Sequence, residues 1–132
     1  MLFLVEAIYL CGFTPTPPHR EIQKTALGAT EHVKWKHSDD ALATIRQLKE
    51  HHWKIYAVEQ AENSISLSHF IPGKDERMAL IFGNEVEGVQ QELVNESDGV
   101  IEIPQYGVKH SVNISVSVGI VVWDVLEKMK KQ

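Results

Sequence analysis

Short apolar segments recur along the chain and are separated by segments with helical spacing. The clearest is Met78–Phe82, a continuous apolar run typical of strands that are buried on both faces. Val5–Cys11 is another compact apolar run, and Lys54–Glu59 is a further predicted strand. Residues 39–51 between them carry apolar side chains at helical spacing. Strands that alternate with helices predict an α/β domain with a mostly parallel sheet flanked by helices.

The ends of several elements are also predicted. Ser38 is expected to cap the helix over 39–51, because a serine side chain accepts a hydrogen bond from the free N–H groups of a first turn. Pro104 ends a strand predicted over Val100–Ile103. Ile65–Phe70 is ambiguous and has helical features. The remaining predictions are a strand over Val33–His37, helical segments over Arg20–Leu27 and Gln90–Val94, and exposed loops over Thr14–His19 and Pro72–Glu76.

The length and the cysteine content restrict the class of protein. The chain has 132 residues, which suits one domain, so a single domain over 1–132 is expected. The lone Cys11 excludes an internal disulfide and argues against a zinc cluster, and no metal site is expected. The sequence contains neither a membrane-spanning apolar run nor the pattern of a signal peptide. We therefore expect a cytoplasmic protein without membrane contact.

The charge is acidic overall and unevenly distributed. A net charge of −5 argues against a broadly cationic surface. Residues 1–56 carry seven Lys/Arg and six Asp/Glu, whereas residues 57–132 carry six and twelve. A polyanion would therefore meet the first half, where Arg20 and Lys24 lie. A chance asymmetry on a solvated surface explains the charge counts equally well.

Three predicted strands end in loops that are rich in glycine or polar residues. These are the loop after Val58, the segment Gly83–Gly88 and the segment Ile103–Ser111. Ligands of open parallel sheets bind beyond the carboxyl ends of the strands, so one pocket lined by all three loops is expected. The second loop lacks the Lys-Ser/Thr of a phosphate-binding loop and carries Glu85 and Glu87. A ligand with hydroxyl, amide or positively charged groups fits it better; an ordinary glycine turn is the alternative.

The stretch from Ser111 onward fits two structures. Its alternation of small polar and β-branched residues is typical of a half-buried strand, but Ser111, Ser115 and Gly119 also form one stripe on a helix. A helix over 111–131 would be apolar on most sides, which indicates a subunit interface or a threaded core. Periodicity alone leaves the first eight residues open. One apolar face would consist of Val112, Val116, Ile120 and Trp123, and another of Ile114, Val118, Val121 and Val125.

Two stretches resemble a known family. "ALIFGNEVEGV" (Ala79–Val89) and "IEIPQYGVKHSVNISVSVGIVVWDVL" (Ile101–Leu126) are similar to motifs two and three of the SpoU/TrmH RNA 2′-O-ribose methyltransferases of the SPOUT superfamily. The family pattern is F-G-x-E-x-x-G, followed by I-P-x-x-G-x-x-x-S-x-N-x-S-x-A. The similarity covers most of residues 5–127.

The resemblance implies a fold and an activity. The C-terminal part of the chain would thread through a loop and form a trefoil knot, which is an exception to the rule that protein chains are unknotted. The implied cofactor is S-adenosyl-L-methionine, and the implied reaction is methyl transfer to a ribose 2′-hydroxyl of tRNA or rRNA. A homodimer would form through the knot region and the C-terminal helix.

The resemblance also assigns site residues, position by position. The catalytic residues would be Glu85 near the reaction centre, Ser111 beside the cofactor, and Asn113, which would position the target ribose. The cofactor would be held, largely through backbone groups, by Val58, Gly83, Ile103, Ser111 and Val112. Arg20 and Lys24 are the basic residues expected to meet the RNA.

One family motif has no counterpart here. Family members begin with a pattern like N-x-G-x-x-x-R, whose arginine acts on the 2′-hydroxyl and the RNA phosphate, whereas only Met1–Leu4 precede Val5. The domain is therefore expected to lack the N-terminal motif-one segment. The alternative function is a catalytically impaired SAM-binding or RNA-associated pseudo-enzyme of the same fold. An α/β nucleotide-binding regulatory module, from an unrelated class, stays open if Gly83–Gly88 is a plain turn.

Overall fold

The computed structural model describes residues 7–11, 34–38, 40–74, 76–83, 88–104 and 114–132. The chain divides into two compact units, Met1–Thr44 and Ile45–Gln132. In chain order the elements are β1 (Ala7–Cys11), β2 (Lys34–Ser38), α1 (Ala41–Glu50), β3 (Lys54–Val58), β4 (Ile65–Ser66), β5 (Met78–Phe82), α2 (Gln91–Glu96), β6 (Gly99–Glu102) and α3 (Ile114–Lys130).

The first unit contains a parallel strand pair and the start of α1. β1 and β2 pair in register from Ala7 opposite Lys34 to Cys11 opposite Ser38, which confirms both predicted strands. The predicted cap of α1 is wrong, because Ser38 is the last residue of β2. Asp40 caps the helix instead, since its side chain accepts the N–H of Ala43 at 3.1 Å. Aspartate and serine cap helices about equally well, so the residue closer to the first turn takes the position.

The second unit is built on a four-stranded parallel sheet in the order β4-β6-β3-β5. Val58, the last residue of β3, is in register with Phe82 of β5 and with Ile101 of β6. With a neighbour on each side, β3 is an inner strand, and its Ile55 and Ala57 are fully buried. The mostly parallel α/β fold predicted from the sequence is confirmed.

One core cluster of this unit lies between the sheet and α3. It consists of Leu67, Phe70, Ile101, Val121 and Val125, and both Ile101 and Val121 are fully buried. The ring of Phe70 meets the ring of Tyr56 edge-to-face at a centroid distance of 5.0 Å, an arrangement that aromatic pairs favour. The long helix is therefore anchored on β6 and on the turn that follows β4.

The segment Ile65–Phe70 forms a short strand and a turn rather than the helix considered above. Ile65 and Ser66 pair with β6, and the N–H groups of His69 and Phe70 both donate to the carbonyl oxygen of Ser66 at 2.8 and 3.0 Å. The end of α3 holds this turn from outside: Lys128 Nζ donates to the carbonyl oxygen of Leu67 at 2.5 Å. Contacts between residues that lie 36 and 61 positions apart are invisible to local periodicity.

Helix α1 ends in a left-handed residue that is not glycine. His52 has a φ of 69°, and its N–H and that of Trp53 donate to the carbonyl oxygens of Lys49 and Leu48, each at 3.0 Å. Two such bonds around a left-handed residue form the Schellman motif, in which glycine is usual. The helix thus ends in a common motif, but with histidine at the position where glycine is favoured.

The other predicted segments have mixed outcomes. Met78–Phe82 is a strand as predicted, α2 matches the predicted helical segment, and β6 matches the strand before Pro104. In the predicted surface turn, Gly73 and Lys74 are exposed, whereas Pro72 is fully buried. The predicted segments Thr14–His19 and Arg20–Leu27 lie outside the described residues.

Helix α3 has one covered and one uncovered apolar face. Val121 and Val125 are buried, but Val116, Ile120 and Trp123 are 51%, 39% and 55% exposed. The expected helix begins at Ile114 in the structure, and residues 111–113 lie outside the described part. Within a single chain this helix is therefore not buried on most sides. None of the described helices is both long and apolar enough to cross a membrane.

Candidate functional site

The three loops predicted to line a pocket leave the sheet at the same edge. Because Val58 is in register with both Phe82 and Ile101, strands β3, β5 and β6 end side by side. Parallel strands direct their following loops to one side, where ligands of such sheets bind. The structure therefore brings the beginnings of all three loops together, as the sequence predicted.

The two ends of the second loop touch each other. A Cβ atom added to Gly83 would lie 2.0 Å from the carbonyl carbon of Gly88 and 2.3 Å from the amide nitrogen of Val89. Gly88 has a φ of 69°, which side chains rarely adopt. Close backbone approach at Gly83 and left-handed geometry at Gly88 thus explain both glycines of the "GNEVEG" segment.

Glu59 connects the first loop to the second. One carboxylate oxygen, Oε2, accepts the N–H of Val89 at 2.7 Å, and the other, Oε1, accepts the N–H of Gln60 at 3.1 Å. Its own N–H donates to the carbonyl oxygen of Ile101 at 3.0 Å. Glu59 was not among the residues predicted from the sequence; an acidic side chain directly after a buried strand is the signal that could have indicated it.

Hydrogen bonds connect the start of the third loop to residues that follow the first loop. Glu102, the last residue of β6, accepts the hydroxyl of Ser64 at 2.8 Å, and its carbonyl oxygen accepts the N–H of Leu67 at 2.8 Å. Ile103 and Pro104 follow and are half-buried. All three loops thus start from positions that hydrogen bonds fix.

The predicted site residues fall into two groups. Val58, Gly83 and Ile103 are described, half-buried and located at the same edge of the sheet. The structure therefore brings three of the expected cofactor-binding positions together. The remaining ones lie outside the described residues: Glu85, Ser111, Val112 and Asn113, and the expected RNA-binding pair Arg20 and Lys24.

The phenol of Tyr56, on β3, stays protonated well into the alkaline range. Its pKa is raised above 10.0, first by burial and then by the negative charges of Glu76 and Asp98 and a hydrogen bond with Glu76. A phenol in this state can donate a hydrogen bond but cannot act as a general base near neutral pH.

A separate open cavity of about 250 Å³ lies at the opposite end of the sheet. Its lining includes Lys54, the first residue of β3, and Asp98, which directly precedes β6, together with Lys49, His52 and Trp53. Ligands of parallel sheets bind at the carboxyl ends of the strands. The loop edge, defined as the edge of the sheet where β3, β5 and β6 end, is therefore the better candidate for the functional site.

Comparison with known proteins finds a family model that matches most of this chain. The model of the SpoU rRNA Methylase family matches residues 1–123. A tRNA (guanosine(18)-2′-O)-methyltransferase of Borreliella burgdorferi is 31% identical over 105 residues, covering 80% of this chain and 47% of the relative. The chain spans about half the length of the curated relatives it matches first.

Two solved structures have a similar fold. The TrmH/SpoU tRNA modifying enzyme of A. aeolicus superposes with a TM-score of 0.81 at 23% identity, over 96% of this chain and 63% of that one. An AdoMet-bound rRNA methyltransferase from Sinorhizobium meliloti gives a TM-score of 0.79 at 25% identity, over 90% of this chain and 44% of that one. The likeness extends beyond the loop edge to nearly the whole chain.

Proposed function

Because this chain belongs to the SpoU rRNA methylase family, we propose that it transfers a methyl group from S-adenosyl-L-methionine to a ribose 2′-hydroxyl of tRNA or rRNA. The observation that carries the proposal is that three loops begin side by side at one edge of the sheet, with Gly83 at the close approach between the two ends of the second loop. The Borreliella relative is named for 2′-O-methylation of tRNA, and the Sinorhizobium one for rRNA and AdoMet.

The chemistry of this edge suits a cationic cofactor. S-adenosylmethionine supplies an electrophilic methyl group on a positively charged sulfur. The edge carries the carboxylate of Glu59, and the sequence places Glu85 and Glu87 in the second loop. Negative charge attracts a sulfonium and would repel a phosphate. We propose that Val58, Gly83, Ile103, Ser111 and Val112 hold the cofactor, largely through backbone groups.

The residues of motifs two and three are proposed to act on the ribose. Asn113 would orient the ribose so that its 2′-oxygen lines up with the methyl carbon, while Ser111 and Glu85 would order the site and help to remove the hydroxyl proton. Arg20 and Lys24 would contact RNA phosphates. These roles are supported by the match of the sequence to the family motifs.

Methyl transfer can be tested with tritiated cofactor on bulk tRNA and rRNA, and binding by calorimetry. We expect Asn113→Ala to lower the rate by about a hundredfold while the protein stays folded, as for loss of one orienting group. Asn95→Ala, an exposed asparagine on α2, is the matched control and should leave the rate unchanged. An unchanged rate in Asn113→Ala would remove this residue from the mechanism. A folded protein that binds no cofactor would contradict the proposed function itself.

The proposal includes one methyltransferase domain over 1–132 and a trefoil knot in its C-terminal part. Support comes from the family match, which extends over residues 1–123, and from the fold likeness to the A. aeolicus protein over 96% of the chain. A knotted chain should refold more slowly than its sheet alone requires. Refolding kinetics of a variant cut in the third loop, which cannot form the knot, would test this.

We further propose that two copies associate through the uncovered face of α3. Val116, Ile120 and Trp123 form an exposed apolar stripe, and a Cβ atom on the neighbouring Gly119 would meet nothing within 4 Å. A contiguous apolar stripe beside a small residue suits close packing of another helix.

Light scattering after size-exclusion chromatography would measure this association. We expect a dimer for the wild-type chain and a monomer for Trp123→Glu. Ile71→Glu is the matched control, since Ile71 lies outside α3 and is 78% exposed, and it should remain dimeric. A dimer that persists in Trp123→Glu would contradict this interface.

The alternative of an impaired pseudo-enzyme is not favoured, because the relatives are named as methyltransferases. A cytoplasmic location is proposed because tRNA and rRNA would be the substrates. Methyl transfer by this chain to either RNA would exclude the pseudo-enzyme directly.

A further inference from the structure

We infer that Glu59 is a positioning residue of the cofactor site, whose carboxylate holds the second loop against the first. The inference rests on the proposed function, because the loops concerned are those proposed to hold S-adenosylmethionine. Glu59 directly follows Val58, yet family resemblance assigned it no role, and its contacts are what single it out.

The carboxylate is used by both loops at once. Each of its two oxygens accepts one backbone N–H, Oε2 from Val89 at 2.7 Å and Oε1 from Gln60 at 3.1 Å. An ionised carboxylate has only acceptors, so it can satisfy two converging N–H groups, whereas an amide must present its own NH₂ to one of them. The short bond to Val89 is of the charge-assisted kind.

The space that Glu59 occupies is created by Gly88. A Cβ atom on Gly88 would lie 2.3 Å from Oε2, so a side chain at position 88 would force the carboxylate out of its present position. Gly88 in turn lies against Gly83, where another Cβ would clash with its backbone. A continuous line of contacts thus runs from the end of β3 to the end of β5 and fixes both ends of the second loop.

A second carboxylate provides an internal comparison. At the opposite end of β3, Asp98 Oδ2 accepts the N–H of Ile55 at 2.8 Å. Each end of this strand region is therefore held by a carboxylate bound to backbone N–H groups. If Glu59 acted only on stability, removing either carboxylate would have the same consequence for cofactor binding. A positioning role predicts that the two differ.

The experiment compares Glu59→Ala, Glu59→Gln and Asp98→Ala with the wild-type chain. Calorimetry gives the Kd for S-adenosylmethionine, and urea unfolding gives stability. We expect Glu59→Ala to raise the Kd about tenfold or more, as for loss of a hydrogen bond to a charged group. The Kd of Glu59→Gln should lie between those of the wild-type chain and Glu59→Ala, because the amide oxygen can still accept the N–H of Val89. Asp98→Ala should lose stability but keep the wild-type Kd.

Two further readouts separate positioning from a general defect. In Glu59→Ala the KM for the cofactor should rise while kcat at saturating cofactor changes less than about twofold, since the lost contact supports cofactor binding equally in the ground state and in the transition state. The amide of Val89 should exchange hydrogen faster in Glu59→Ala and at the wild-type rate in Asp98→Ala. If Glu59→Ala does not fold, Glu59→Gln carries the same comparison.

The outcomes distinguish this inference from the proposed function. A wild-type chain that binds S-adenosylmethionine, together with an unchanged Kd in both Glu59 variants, would overturn the positioning role alone. So would an equal rise in Kd for Asp98→Ala. A wild-type chain that binds no S-adenosylmethionine would overturn the proposed function, and the inference with it.

Discussion

A single methyl group added at Gly83 should disrupt the loop edge. In Gly83→Ala the new Cβ would lie 2.0 Å from the carbonyl carbon and 2.2 Å from the carbonyl oxygen of Gly88, and 2.3 Å from the nitrogen of Val89. Carbon atoms in favourable contact are about 3.5–4.0 Å apart. All three neighbours are backbone atoms, so no rotamer change relieves the overlap. The two ends of the second loop would have to move apart.

The magnitude follows from two effects. Overpacking of this kind costs about 1–3 kcal/mol, and moving Val89 away from Glu59 breaks a hydrogen bond to a carboxylate that contributes about 1.5–3 kcal/mol. We expect Gly83→Ala to lower the free energy of unfolding by about 3–5 kcal/mol when the loop ends separate just far enough to break this bond. If the loop opens instead, stability falls less and the affinity for S-adenosylmethionine is lost.

Urea unfolding and calorimetry measure both quantities. Gly73→Ala is the control, because Gly73 is exposed and its added Cβ would lie 3.6 Å from the Cβ of Glu76, an ordinary contact. It should change stability by no more than about 0.5 kcal/mol. A Gly83→Ala variant that matched this control in both stability and cofactor affinity would refute the close approach of the loop ends.

Three other changes have expected outcomes. His52→Gly should raise the free energy of unfolding by about 0.5–1 kcal/mol in urea titrations, because relief of the left-handed strain at a φ of 69° exceeds the extra chain entropy that glycine loses on folding. Ile101→Ala should lower it by about 2–5 kcal/mol, since Ile101 is fully buried, and Ile65→Ala, 44% exposed, by much less. The raised pKa of Tyr56 means that the folded state keeps the phenol proton above pH 10.0 while the unfolded state loses it. Stability should therefore fall as the pH rises through that region, an effect absent from Tyr56→Phe in thermal unfolding at alkaline pH.

The parallel sheet could be predicted from sequence because its strands are locally distinct. Met78–Phe82 is apolar throughout and is followed by glycine, so both its identity and its end are encoded within a few residues. The convergence of the loops followed from general geometry of parallel sheets.

Features that depend on distant partners could not be predicted in this way. β4 exists because Ile65 and Ser66 meet β6, and its turn is held by Lys128 from the end of α3. The bond between Glu59 and Val89 joins residues thirty apart, and nothing near Glu59 in sequence indicates its partner. Which face of α3 stays exposed could not be predicted either, because both faces are equally apolar and only the packing of the core determines which one is covered.

The position of β3 in the sheet has a consequence for how the chain is synthesised. This strand leaves the ribosome before either of its neighbours, β5 and β6, and the core is completed only when α3 delivers Val121 and Val125. Until then "KIYAV" is an unpaired strand in which Ile55, Tyr56 and Val58 strongly favour β structure, and it is available to other nascent copies. Parallel pairing closes long chain segments before it gains contacts, so this interval is slow to end. The nascent chain is therefore most prone to aggregate, and has most need of chaperones, between the synthesis of β3 and that of α3.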